Sequence, residues 1–261
     1  MRDIKVFGVP STLCWIIFIV AQVSIMAFMV ATLAVEQWVK LDPDDLENYA
    51  FEGGILSITD GLGEIMNPFL PAATVDVSDT IYAKLSCSSE FVLEIFGSRA
   101  AAGDFNWYLF KSWHTLFKDL WFSGGLFLVF ELSALLSIIV IIATLTLLIF
   151  NKYYLHLNFC AAGCMWASHL VAIIGWLGLN SITFEDDCDE LTDGTDPPTL
   201  CVMTGPKLGI FVLIYTTFIM IPYFIVIFVY STKLSKHERE SIGDGTKRVI
   251  SSNEDQAKLN Y

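Results

Sequence analysis

Two residues in this chain set ionisable chemistry in an apolar stretch. Glu131 is the one charged residue in Leu120–Phe150, and His169 lies deep inside Tyr154–Leu179, which has no Asp, Glu, Lys or Arg. A carboxylate and an imidazole at membrane depth can lock a helix register, or relay a proton or cation. Glu131 lies 11 residues (131 − 120) from the outer start of its run, and His169 lies 10 (179 − 169) from the outer end of its own. At about 1.5 Å per residue both sit roughly 15–17 Å deep, so an antiparallel hairpin brings them level. Gly124 and Ala134 share the Glu131 stripe, and Ala162 and Ala172 share that of His169. Small neighbours mark the packed side of a membrane helix. The preferred reading is a structural Glu131–His169 pair, and a proton or cation pathway is the sharper one. The bland alternative is that Glu131 reaches the outer headgroups.

The elements that must position this pair are four apolar runs. Ser11–Val35, Leu120–Phe150, Tyr154–Leu179 and Lys207–Tyr230 are each long enough to cross a hydrocarbon core of about 30 Å as a helix. The first is about twice the length of a signal-peptide core, which predicts a retained helix. Residues 151–153 leave room only for a tight turn. Between the spans lie a lead, 1–10, a first outer loop, 36–119, and a second outer loop, 180–206. Residues 231–261 form a charged, Ser-rich tail that composition predicts to be disordered. In the first loop, residues 55–59 and 80–85 read as short strands, and 104–118 as a helix leading into the membrane. Pro222 predicts a kink in the fourth span.

The chain is 54% hydrophobic with a formal net charge of −13, and its mean hydropathy is +0.58. This composition indicates a polytopic membrane protein, and the acidic balance argues against nucleic acid as a partner. Arg2, Lys5 and Lys152 flank the spans on one side, with six further Lys and Arg in the tail, and none occurs in 180–206. That asymmetry places both termini in the cytoplasm and the loops on the outer side, at the plasma membrane or an endomembrane. Cys87, Cys188 and Cys201 then fall where disulfides persist. A Cys188–Cys201 bridge would close the second loop, and Cys87 is either free or bridged to one of them. Cys160 and Cys164, one turn apart near the cytoplasmic end of the third span, read as small core residues, with S-palmitoylation as the alternative. Ser24, Ala27, Ala31 and Ala34 share one face of the first span and predict close packing against the small residues of the third.

Trp38, in Glu36-Gln37-Trp38 just outside the first span, looks like the tryptophan that opens the first loop of claudins. With the loop plan, it makes the chain resemble the claudin and PMP22-like superfamily of four-helix membrane proteins. Gly61-Leu62-Gly63 does not carry the Gly-Leu-Trp of claudins proper, and Cys87 is the loop's one cysteine. The resemblance implies a small antiparallel outer sheet on a left-handed four-helix bundle.

No zinc-binding, phosphate-loop, dinucleotide or Ser/His/Asp pattern is present. The acidic run 185–190 stops short of a calcium loop, because Leu191 and Leu200 occupy ligand positions. No cofactor or metal is expected. The fold class expected is an all-α transmembrane four-helix bundle with a small extracellular β-containing region. The function expected is non-enzymatic: membrane organisation, adhesion, or service as an auxiliary subunit of a membrane complex. The alternative is an ion or proton channel or transporter component using Glu131 and His169. Expected partners are the bilayer, a membrane protein or a second copy, and a PDZ-type scaffold that reads Leu259 and Tyr261.

Overall fold

The computed structural model describes residues 5–41, 51–61, 81–83, 85, 105–150, 154–180, 182–184 and 200–259. Its long helices are α1 (Ser11–Ala34), α2 (Phe105–Ile149), α3 (Leu155–Leu179) and α4 (Thr204–Leu259). Within them, Ser11–Ala34, His114–Ile149, Leu155–Leu179 and Thr204–Lys236 are long and apolar enough to cross a membrane. The chain is therefore a multi-pass membrane protein, with four helices of spanning length among the described residues and a small β region. The helix expected over 104–118 is the first part of α2 and runs unbroken into the span. Pro222 lies inside α4, and the helix continues past it. In a membrane bundle neighbouring helices re-satisfy the backbone that a proline frees. Residues 231–259, expected to be disordered, are helical. Lys, Glu and Arg are good helix formers, so a helix can propagate there from the span without an apolar face.

The chain forms two compact units, and all four helices contribute to each. The first unit begins with a hairpin, β1 (Lys5–Val6) and β2 (Val9–Pro10), whose turn is Phe7–Gly8. Its helices are joined by edge-to-face ring pairs. Trp15 meets Tyr230 at 5.0 Å between centroids, and Phe18 meets Tyr223 at 4.9 Å.

The second unit carries a five-stranded sheet in the order β5-β4-β3-β7-β6. Here β3 is Val39–Leu41, β4 Phe51–Gly53, β5 Ile58–Gly61, β6 Ile182–Thr183 and β7 Leu200–Val202. The two loops meet at β3 and β7, which pair antiparallel with Lys40 opposite Cys201. The outermost pair, β6 and β7, is parallel rather than antiparallel. The 16 residues between them (199 − 184 + 1) are enough for the crossover that parallel pairing needs.

Two strand expectations change. Residues 54–57 make the turn between β4 and β5, with Gly54 N–H donating to Ser57 O at 2.8 Å, so β5 starts at Ile58. Of the described residues in 80–85, Ile81 bridges to Ser57, and Tyr82, Ala83 and Leu85 are helical. Tyr82 explains the departure: its ring stacks on Phe117 and its hydroxyl donates to Gly54 O at 3.1 Å, with no exposed surface left.

The small-residue face of α1 is also not where it was expected. Ala27, Ala31 and Ala34 are exposed. In the second unit α1 instead packs against α4, where Phe28 meets Phe211 and Tyr215, and Ser24 shares a 2.9 Å hydrogen bond with Tyr215. Large rings bury more area than alanines and decide the contact. Cys160 and Cys164 are exposed free thiols rather than core residues.

Candidate functional site: a buried carboxylate and imidazole

Glu131 on α2 and His169 on α3 meet inside the second unit, both with zero exposure. Glu131 Oε2 and His169 Nδ1 are 2.7 Å apart. The stripes around them hold as packed faces: Ala134 and Ala162 are fully buried and Ala172 nearly so. On the other side of the ring, His169 Nε2 is 3.3 Å from the Gly209 carbonyl of α4. A Cβ at Gly209 would meet the tip of the Ile173 side chain of α3, which would have to shift to admit it.

The hydrogen-bonding atoms fix the proton count. A backbone carbonyl only accepts, so Nε2 carries a hydrogen and donates to Gly209 O. Nδ1 and Oε2 then need one proton between them to attract. Whichever atom holds it, the pair is neutral overall, which suits two side chains with no exposed surface. Among the described residues Glu131 Oε1 has no hydrogen-bond partner. The arrangement thus joins α2, α3 and α4 through one side-chain pair, and leaves one buried oxygen that could accept a further hydrogen bond.

Trp38, expected at the start of the first loop, has no exposed surface. It lies edge-on to Phe127 at 4.7 Å and to Trp176 at 5.1 Å, and its Nε1 donates to Val35 O at 3.0 Å. Its backbone is held from both loops: Trp38 N–H donates to Gly53 O, and Met203 N–H donates to Trp38 O. Gly205, at the start of α4, faces the indole so closely that a Cβ there would lie 2.5 Å from Nε1. One residue thereby ties the sheet to the helices of this unit.

A second polar group was not foreseen. In the first unit Asn158 of α3 is fully buried; its Nδ2 donates to Thr144 Oγ1 of α2 at 2.6 Å, and its Oδ1 accepts from the Tyr223 hydroxyl of α4. Uncharged residues near span ends give no charge signal, and the one available clue was an Asn inside an apolar run. In the second unit Asn180 closes α3 by donating from Nδ2 to Trp176 O at 2.7 Å and to Ser123 Oγ at 2.9 Å.

Cys201 is buried on β7 and disulfide-bonded. Cys87 and Cys188 lie outside the described residues, as does Tyr261, while Leu259 is the last residue of α4. Among the described residues no group of three His, Cys, Asp or Glu could hold a metal ion. No protein-family model, curated protein or solved structure matches the chain.

Proposed function

We propose that this chain is a claudin/PMP22-like four-pass protein without enzymatic activity. It acts in adhesion or membrane organisation, or as an auxiliary subunit, through its outer loops. The observation that supports this reading most is the β3–β7 pairing over the buried Trp38. Pairing strands from both loops on one tryptophan gives a stiff platform for contact with another protein. In the same reading both termini face the cytoplasm, and Cys201 pairs with Cys188. A PDZ-type scaffold would read Leu259 and Tyr261, which requires the end of α4 to unwind into a strand.

The test uses the full chain in native membrane. It should co-purify in fixed stoichiometry with an integral membrane partner or a second copy. Trimming the outer loops of sealed, correctly oriented vesicles with protease should release that partner. The purified chain should be electrically silent in a planar bilayer. Intrinsic current or proton flux would replace this reading with the second one, a proton or cation pathway through Glu131 and His169. That reading is favoured by the unpartnered Glu131 Oε1, since a relay needs an open acceptor.

A further inference from the structure

A hydroxyl on a membrane helix is commonly satisfied by the carbonyl one turn back, where lipid offers it nothing. Ser137 donates to Ser133 O at 2.9 Å, Thr146 to Ile142 O at 2.8 Å and Thr232 to Phe228 O at 2.9 Å in this way. Ser133 and Ser168 depart from the pattern. Ser168 Oγ of α3 donates across to Ser133 Oγ of α2 at 3.4 Å, longer than an ordinary hydroxyl bond. Among the described residues Ser133 Oγ donates to no group. One hydroxyl hydrogen and several lone pairs are therefore unused.

The pair lies near the middle of the span and on its outside. Ser168 is 13 residues from Leu155 (168 − 155) and 11 from Leu179 (179 − 168). At about 1.5 Å per residue it is roughly 17–20 Å from either end of α3, too deep for a short side chain to reach headgroups. This depth holds whichever end of α3 faces the cytoplasm. Ser133 is exposed and Ser168 half-buried. Val129 and Leu136, one turn before and after Ser133, are 66% and 64% exposed. Cys164 and Val171 hold the same offsets from Ser168 and are exposed as well. The two hydroxyls thus sit at the centre of an open α2–α3 face, at a depth where acyl chains supply no acceptor.

We propose that this face binds a second copy of the chain across a two-fold axis along the membrane normal. Such an axis leaves depth unchanged and sets α2 of each copy opposite α3 of the other. The Ser133 hydroxyl of one copy then donates to the partner's Ser168 Oγ, and the reverse bond forms by symmetry. Each copy offers one unused hydrogen and unused lone pairs, so the polar complementarity closes with no third group. This self-complementarity selects a second copy over an unrelated helix. Hydrogen bonds between hydroxyls and small side chains that allow close approach are what hold membrane helices together. The contact lies within the bilayer and goes beyond the outer loops, so loss of a loop partner on proteolysis bears on the adhesion or auxiliary role and not on this dimer.

The experiment measures energy transfer between copies of the full chain carrying donor or acceptor fluorophores at Tyr261. They are reconstituted together in phosphatidylcholine vesicles over a range of lipid dilutions. The expected result is a dimer that dissociates on dilution. Ser133→Ala and Ser168→Ala together should raise its dissociation constant by about tenfold, as for two bonds of the size usual between membrane helices. Each change alone should raise it less. Phe218→Ala, which removes a larger side chain that is 71% exposed on α4, should leave it unchanged. Unfolding in graded denaturing detergent should be the same for the starting protein and the serine variants, since both serines lie on the outer face. A monomer at every dilution, a dimer indifferent to the serine changes, or an equal loss with Phe218→Ala would each overturn the proposal.

Discussion

Glu131 and His169 are 38 positions apart in the chain and 2.7 Å apart in space, with no exposed surface on either. Replacing Glu131 by Leu leaves His169 Nδ1 without its partner, and replacing His169 by Leu strands both carboxyl oxygens. Each single change should cost about 1–3 kcal/mol. The double change should cost less than the sum, with a coupling of about 1–2 kcal/mol. Unfolding in graded denaturing detergent measures all three variants, and simple additivity would dissolve the pair as an energetic unit. Glu131→Gln should be milder, because its amide can still donate to Nδ1.

Trp38 and Gly205 make a steric prediction of the same form. Trp38→Ala should cost about 3–5 kcal/mol as a cavity opens between sheet and helices. Gly205→Ala should also destabilise, because its Cβ would lie 2.5–2.7 Å from three indole atoms. In the Trp38→Ala background the same Gly205→Ala change should cost almost nothing. A full cost in both backgrounds would mean that the indole is not what excludes a side chain at 205.

Asn158 serves two hydroxyls at once. Asn158→Leu should cost about 1–3 kcal/mol, since it leaves Thr144 and Tyr223 with lost bonds. Combining it with Thr144→Val and Tyr223→Phe should recover most of that loss, because no buried polar atom is then left behind. Thermal unfolding of the single and triple variants decides the matter, and a triple variant weaker than the single one would contradict it.

Tyr82 makes stability depend on alkaline pH. Burial pushes its phenol well above the ordinary value, so the folded form keeps it neutral. The unfolded chain ionises it near pH 10. Its contribution is therefore complete below about pH 10 and is lost as pH rises above that, at up to about 1.4 kcal/mol per pH unit. Tyr82→Phe should lower stability at neutral pH through the lost bond to Gly54 O, and should show a shallower decline between pH 10 and 11. Parallel curves for the two proteins would exclude Tyr82 as the source.

Orientation is checked by tags. One at Tyr261 should be reached by antibody only after permeabilisation, and one inserted near Gly194 should be reached on intact cells. The reverse pattern would move the loops to the cytoplasm and put Cys201 on the reducing side.

The legible parts of the structure were those set by one helix at a time. Helix rise alone put Glu131 and His169 at one depth, and the alanines of their stripes are buried as that reading required. Gly209 was invisible because its contribution is a carbonyl, which every residue has. The packed face of α1 was misread because Phe28 and Trp15 choose it through Tyr215 and Tyr230 of α4. That choice depends on the register between two helices nearly 200 positions apart in sequence. Three-residue strands such as β3 and β7 carry too little alternation to announce themselves, and their partners lie in another loop.

The β3–β7 seam also sets a schedule for the chain's birth. Val39 must wait for Val202, 163 positions later (202 − 39), before its edge is covered. At about 5–20 residues per second the ribosome needs roughly 8–33 s to deliver it. Throughout that interval the newborn first loop has no β7 beside β3, so the sheet can close only after three spans have been threaded into the membrane. A synonymous-codon change that slows elongation between the first and fourth spans would lengthen this interval without altering one side chain. Yield, rather than the stability of the finished protein, is the property such a change would lower.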